Sequence, residues 1–143
     1  MKPVIAYTVF IVSFFMLCSV ILGRQIIKKN KVPPFTDENC IQAIVGEYAA
    51  EDDYYGMKLL AHAIRNRKTL KGVNGFYAKH VKSESKIVWE NASLAWFDSL
   101  NEWDPLSGAN EWRSTVDVMQ YGQPSGFALV KICNGTFYYK PLK

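Results

Sequence analysis

The chain has 143 residues, 49% of them hydrophobic, and a formal net charge of +4. That charge is local: Lys2, Arg24, Lys28, Lys29 and Lys31 are five of the seventeen basic residues, which leaves twelve against thirteen acidic residues from position 36 onward. A domain of net charge −1 lacks the basic surplus that phosphate contacts require, so nucleic acid is excluded as the expected partner.

Val4 to Leu22 run for nineteen positions without a charge. At 1.5 Å per residue such a segment crosses a hydrocarbon core of roughly 30 Å, and residues 4–23 are read as an uncleaved transmembrane anchor. The competing reading, a cleaved secretory signal, wants a shorter apolar core and a small-x-small cleavage site, neither of which is evident around Met16 to Ile21. Residues 24–35 form a basic, proline-containing linker suited to anionic lipid head groups. Counted alone, the basic residues after the apolar run would keep the main domain in the cytoplasm.

Residues 36–143 are one domain's worth of chain, with no internal repeat and no low-complexity tract. Cys18 lies in the apolar run. Cys40 and Cys133 either pair, if the domain is outside the cytoplasm, or are buried as free thiols.

The first helix is capped by Thr36 or Asp37 and carries Ile41, Ile44, Val45 and Tyr48 at helical spacing. Glu47 falls beside this stripe, where desolvation favours the protonated carboxyl that a general acid needs. A second helix runs from Tyr54 to Lys68, with Asp53 as its cap and Met57, Leu60, Ala61 and Ile64 as its buried face. Lys71 to Gly75 break it. Asn91 caps a third helix on which Ala92, Ala95, Trp96 and Leu100 share a face, and Asp104 to Gly108 make a turn. At the C-terminus, Asn134-Gly135 between two β-rich runs signals a hairpin. His62 and His80, the only histidines, have no second ligand at metal spacing, so no metal or other cofactor is expected. Neither Cys40 nor Cys133 opens a cysteine peptidase motif.

Three separated motifs add up to a resemblance. Gly46-Glu47-Tyr48-Ala49-Ala50-Glu51, then Gly56, then Asn66-Arg67 resembles the opening of the SleB-type (spore cortex-lytic) cell wall hydrolases. Asp104 to Trp112 is similar to that family's DPTGGA segment with its following aromatic, and Lys131 to Tyr138 to its closing strand pair. The chain departs from the pattern at Tyr48, usually a small residue, and at Gly56, one place late. It departs again at Cys133 and Gly135, where glycine and histidine are common.

The resemblance implies an α+β, mainly α fold: a lysozyme-like helical domain with a C-terminal β-hairpin, preceded by one N-terminal transmembrane helix. It implies a cell wall hydrolase that cleaves peptidoglycan between N-acetylmuramic acid and N-acetylglucosamine, as a lytic transglycosylase or a muramidase. Glu47 matches the catalytic glutamate. Glu51 matches a second acidic position, either a secondary acid or a residue that shapes the cleft. Tyr48, Trp103 and Trp112 are candidate sugar-stacking residues, while Trp96 belongs to the core. Peptidoglycan as substrate needs the domain on the periplasmic or cell-wall side, against the vote of the flanking charges. The rival class is a non-catalytic, membrane-anchored glycan- or protein-binding module that retains the fold; an open groove favours the enzyme, a salt-bridged Glu47 the module.

Overall fold

Three polar side chains start the three long helices. The computed structural model describes residues 31–143, so the expected transmembrane segment and all of the linker before Lys31 lie outside the described residues. Helix α1 spans Asp37–Glu47, with Thr36 Oγ1 accepting from Asn39 N. Helix α2 spans Tyr54–Arg67 and is capped by Asp53, which accepts from Gly56 N at 2.9 Å. Both ends match the sequence expectation, since a side-chain acceptor satisfies an otherwise orphaned first-turn N–H. Among the described residues no helix is long and apolar enough to cross a membrane.

Helix α3 corrects the expectation at its start. It spans Lys86–Asn101, and its cap is Ser85, whose hydroxyl accepts from Val88 N. Asn91 instead lies within the helix and donates to the Glu51 carbonyl. Ala92, Ala95 and Trp96 are buried as expected, whereas Leu100 is exposed. Between α2 and α3, two short 3₁₀ turns span Asn74–Tyr77 and Lys79–Ser83.

The hairpin is present, but as part of a larger sheet. Strand β1 (Glu111–Ser114) leads into a short helix α4 (Thr115–Tyr121), followed by β2 (Phe127–Cys133) and β3 (Thr136–Pro141). The antiparallel order is β1-β3-β2, with Trp112 opposite Tyr138. The fold is therefore α+β, helices first and a small antiparallel sheet last. Strand β1 has only four residues and follows a turn, which is too short a run for alternation to mark it in sequence.

Two apolar clusters hold these elements. The larger joins α1, α2 and α3 around Ile44, Met57, Ile64, Val88 and Trp96; the smaller joins α2 to the sheet through Leu59, Ala63, Leu106, Ala109 and Tyr138. Trp112 packs against both. Trp96 binds three helices at once, because its indole N–H donates to Asp37 Oδ1 at 2.8 Å and the Arg65 guanidinium stacks 3.8 Å from its ring centre. Cys40 is buried in the first cluster and Cys133 packs against the second, both as free thiols. Burial pushes the Cys40 thiol up to about 12, so it is an inert apolar side chain.

Candidate functional site

Glu47 is the last residue of α1, and a contact between two glycines determines where its side chain goes. The backbone of Gly75, in the first 3₁₀ turn, passes so close to Gly46 that a Cβ on Gly46 would sit 1.8 Å from the Gly75 carbonyl oxygen. A Cβ on Gly75 would in turn fall 2.5 Å from Glu47 Cγ. Only glycine fits at either position. The approach lets Gly75 N–H donate to Glu47 Oε1 at 2.5 Å. Gln42, one turn earlier on α1, ties down the same segment by donating to the Phe76 carbonyl at 2.8 Å.

The second carboxylate oxygen is held from the sheet. Trp112 Nε1 donates to Glu47 Oε2 at 3.1 Å. Trp112 is itself placed by Arg67 at the end of α2, whose guanidinium lies 5.4 Å from the indole centre and donates to Glu111 Oε2 and to the Lys71 carbonyl, each at 2.8 Å. Glu47 thus belongs to α1 by chain, but it is fixed by the 3₁₀ turn on one side and by β1 on the other.

Tyr48, the next residue, turns toward the start of α2. Its hydroxyl donates to Asp53 Oδ2, which also accepts from Asn134 Nδ2 in the β2–β3 turn. Its ring lies against Gly56, where a Cβ would come within 2.7 Å of it. Burial, with the Asp53 carboxylate beside it, pushes the Tyr48 hydroxyl up to about 12. Burial by itself would raise the Asp53 carboxyl, but the Tyr48, Asn134 and Gly56 donors together hold it below the ordinary carboxylate value. This network locks the end of α1, the start of α2 and the hairpin turn together.

Asn66, the other half of the Asn-Arg pair, donates to Asp104 Oδ2 and to the Ala109 carbonyl, both at 3.0 Å. Asp104 also accepts from Leu106 N at 2.9 Å and Gly108 N at 2.6 Å. The Asp104–Gly108 turn is thus a brace that delivers β1, and Trp112 with it. His62 lies under this brace, 3% exposed, with Nδ1 3.8 Å from Asp104 Oδ1. Burial pulls its pKa below the ordinary value, against a weaker opposing pull from Asp104.

Above Glu47 opens a cleft of about 690 Å³. Its walls include Glu47, Tyr48, Arg67, Asn74, Trp112 and Tyr138, and on the sheet side Glu111, Arg113, Ser114 and Asp117. Of the sequence candidates, Glu47, Tyr48 and Trp112 therefore share one cleft. Glu51 is exposed on the bend after α1, and Trp103 is 81% exposed beyond α3; neither lines the cleft wall. The sequence reading did not single out Gly75, Arg113 or Asp117. Gly75 is the one with a local signal, being a glycine in a segment that follows a helix and has aromatic neighbours.

No family model and no curated protein sequence matches the chain. Among solved structures, it is similar to the catalytic domain of the Bacillus cereus SleB protein, of the type that the sequence motifs resemble. The identity is 21%, over 76% of this chain and 95% of that one, with a TM-score of 0.48. At that distance residue roles have to come from the cleft.

Proposed function

We propose that the domain cleaves the glycan strand of peptidoglycan between N-acetylmuramic acid and N-acetylglucosamine, with Glu47 as general acid and then base. One observation carries this reading beyond the sequence motifs. Three carboxylates line the cleft: Glu111 is ion-paired with the Arg67 guanidinium at 2.8 Å, Asp117 is held at Oδ2 by the Ser114 hydroxyl at 2.7 Å in the capping box of α4, and Glu47 is fixed between the 3₁₀ turn and β1. Glu47 has two N–H donors and, among the described residues, no ion pair. Each of its oxygens keeps a second lone pair for a proton or a substrate.

The chemistry needs one carboxyl. Protonated Glu47 donates to the glycosidic oxygen as the bond to the anomeric carbon breaks, leaving an oxocarbenium-like sugar. The resulting carboxylate then accepts the proton of the muramic acid 6-hydroxyl. That oxygen attacks the anomeric carbon and closes a 1,6-anhydro ring. Atoms and charge balance: the leaving group keeps the proton Glu47 gave it, and the 6-hydroxyl proton restores Glu47 to its acid form. Hydrolysis by the usual routes enlists a second carboxylate, as nucleophile or as base for water. Glu111 is paired with Arg67, which removes the carboxylate on the strand beside Trp112 from that role and favours lytic transglycosylation over a muramidase reaction.

The non-catalytic module gains no support from the two features that would favour it. Glu47 has no cationic partner among the described residues, and Tyr48 is tethered to Asp53. The half-buried indole face of Trp112 suits stacking on a sugar ring. On this reading, residues 4–23 anchor the chain and the domain faces the cell wall; a topology reporter fused after Lys143 tests that placement.

Purified peptidoglycan incubated with the full chain and with Glu47→Gln, and analysed by mass spectrometry of released muropeptides, tests the chemistry. Anhydro-muropeptides from the unsubstituted chain alone are expected. Reducing-end products would replace transglycosylation by hydrolysis, and no release by a folded chain would refute the enzyme.

A further inference from the structure

One stretch of the cleft wall is furnished with uncommitted hydrogen-bonding groups. Arg113 comes directly after Trp112 on β1 and lines the cleft together with Tyr121, Gln123 and Ser125. Its Nη1 donates to the Gly122 carbonyl at 2.9 Å and so pins the loop that carries those residues. Gly122 and Gly126, with φ of 71° and 80°, supply the two left-handed positions that let this loop turn.

A guanidinium has five N–H donors in a fixed fork, and the Gly122 carbonyl uses one of them. Among the described residues Arg113 forms no ion pair, in contrast to Arg67 beside it in the wall, which is paired with Glu111 at 2.8 Å. Asp117, four positions on, also lines the cleft, and its Oδ2 is held in a capping box, where it accepts from the Ser114 hydroxyl at 2.7 Å and from Ser114 N at 3.3 Å. Among the described residues, the side chains of Gln123, Ser125 and Tyr121 make no hydrogen bond. A carboxylate matches the fork in both geometry and charge, whereas a neutral sugar hydroxyl matches it in neither.

We propose that Arg113, with Gln123 and Ser125, forms a subsite for a carboxylate carried on the muramic acid of the strand, either on its stem peptide or, where no stem is attached, on the lactyl group. The proposal rests on the glycan reading above, and it makes the cleft selective for a charged substituent as well as for the sugar backbone.

Binding tests it separately from cleavage. The full chain bearing Glu47→Gln is titrated calorimetrically with soluble, uncrosslinked strands in three forms: free stem carboxylates, carboxylates amidated with ammonia, and strands stripped to the lactyl carboxylate. Amidation is expected to raise Kd about tenfold, the low end for a charge-assisted pair that is partly exposed. Arg113→Gln raises Kd by the same factor on free strands, and the two losses do not add. Arg113→Lys, which keeps the charge and a donor for the Gly122 carbonyl, gives a smaller loss. Weak binding of stripped strands assigns the carboxylate to the stem; full binding assigns it to the lactyl group.

The same Kd for free, amidated and stripped strands, or no binding of any of them, overturns the proposal. That comparison needs no substitution at Arg113 and so does not depend on the variants folding. A chain that prefers carboxylated strands but releases no muropeptides would retire the cleavage reading and keep the subsite. Cleavage without the preference would do the reverse.

Discussion

Replacing Gly46 by alanine tests the link between the glycine contact and the chemistry. The added Cβ would lie 1.8 Å from the Gly75 carbonyl oxygen, and the group it meets is backbone, so no side chain can swing aside. Relief requires α1 and the 3₁₀ turn to separate until that distance exceeds about 3.0 Å. Overpacking of this kind costs about 1–3 kcal/mol, and the backbone obstacle puts Gly46→Ala near the top of that range. At about 4 °C per kcal/mol for a domain this size, Tm falls by about 8–12 °C. The same separation draws Gly75 N–H away from Glu47 Oε1. A displacement of about 1 Å at a catalytic group is enough to lose roughly a hundredfold in rate, so kcat on purified peptidoglycan should fall by about that factor in variant protein assayed well below its Tm. Differential scanning calorimetry and muropeptide release measure the two effects independently. A variant that melts within about 1 °C of the parent, well inside the shift expected for overpacking, and retains its rate would show that the glycine contact does not position Glu47.

Other substitutions separate chemistry from support. Trp112→Phe keeps a ring in both apolar clusters but removes the donor to Glu47 Oε2, so turnover is expected to drop about tenfold or more while stability falls by about 1 kcal/mol; unchanged kcat would leave that hydrogen bond without a role. Glu51→Gln should retain activity within about twofold in the same muropeptide assay, because its side chain is exposed outside the cleft wall, and a loss approaching that of Glu47→Gln would bring Glu51 into the reaction. His62 supplies a pH dependence. Its folded-state pKa is depressed by burial, so the unfolded chain takes up its proton first, near pH 6.5. The stability it contributes is present above that pH and is lost as pH falls toward the folded value. Urea melts between pH 7.5 and 5 should show this decline, and His62→Gln should flatten it; an unchanged slope would assign the decline to other groups.

The parts of this fold that are legible in the sequence are those whose causes are local. Thr36, Asp53 and the Asn134-Gly135 turn each act within a few residues, and each does in the structure what its type and position indicate. The start of α3 is ambiguous in sequence because Ser85 and Asn91 are both competent caps, and sequence does not weigh the extra turn that buries Val88. The site is harder to read for a different reason. Glu47 can be picked out beside an apolar stripe, but the groups that hold it are 28 and 65 positions away. Trp112 can be suspected of lining a cleft, yet its indole donor to Glu47 depends on Arg67, on the Asn66–Asp104 brace and on a four-residue strand that periodicity does not mark.

That dependence bears on how the cleft achieves its chemistry. Arg67 and Asn66 are adjacent at the end of α2, and they act on opposite ends of the segment that delivers Trp112: Asn66 holds the turn before β1, and Arg67 holds Glu111 on the strand itself. On the proposed reading, Glu111 is a support for Glu47 rather than a partner in the reaction, since releasing it to activate water would free Arg67 and loosen Trp112. Under that proposal, a cleft that uses its second carboxylate to hold its first leaves the substrate's own hydroxyl, rather than water, to complete the reaction. Glu111→Gln discriminates between the two roles. If Glu111 is a support, the variant loses the charge of the pair but keeps an oxygen acceptor for Arg67, and kcat falls by only about three- to tenfold with the anhydro product unchanged. If Glu111 were the base for water, muropeptides from the parent would carry reducing ends and the variant would lose nearly all turnover.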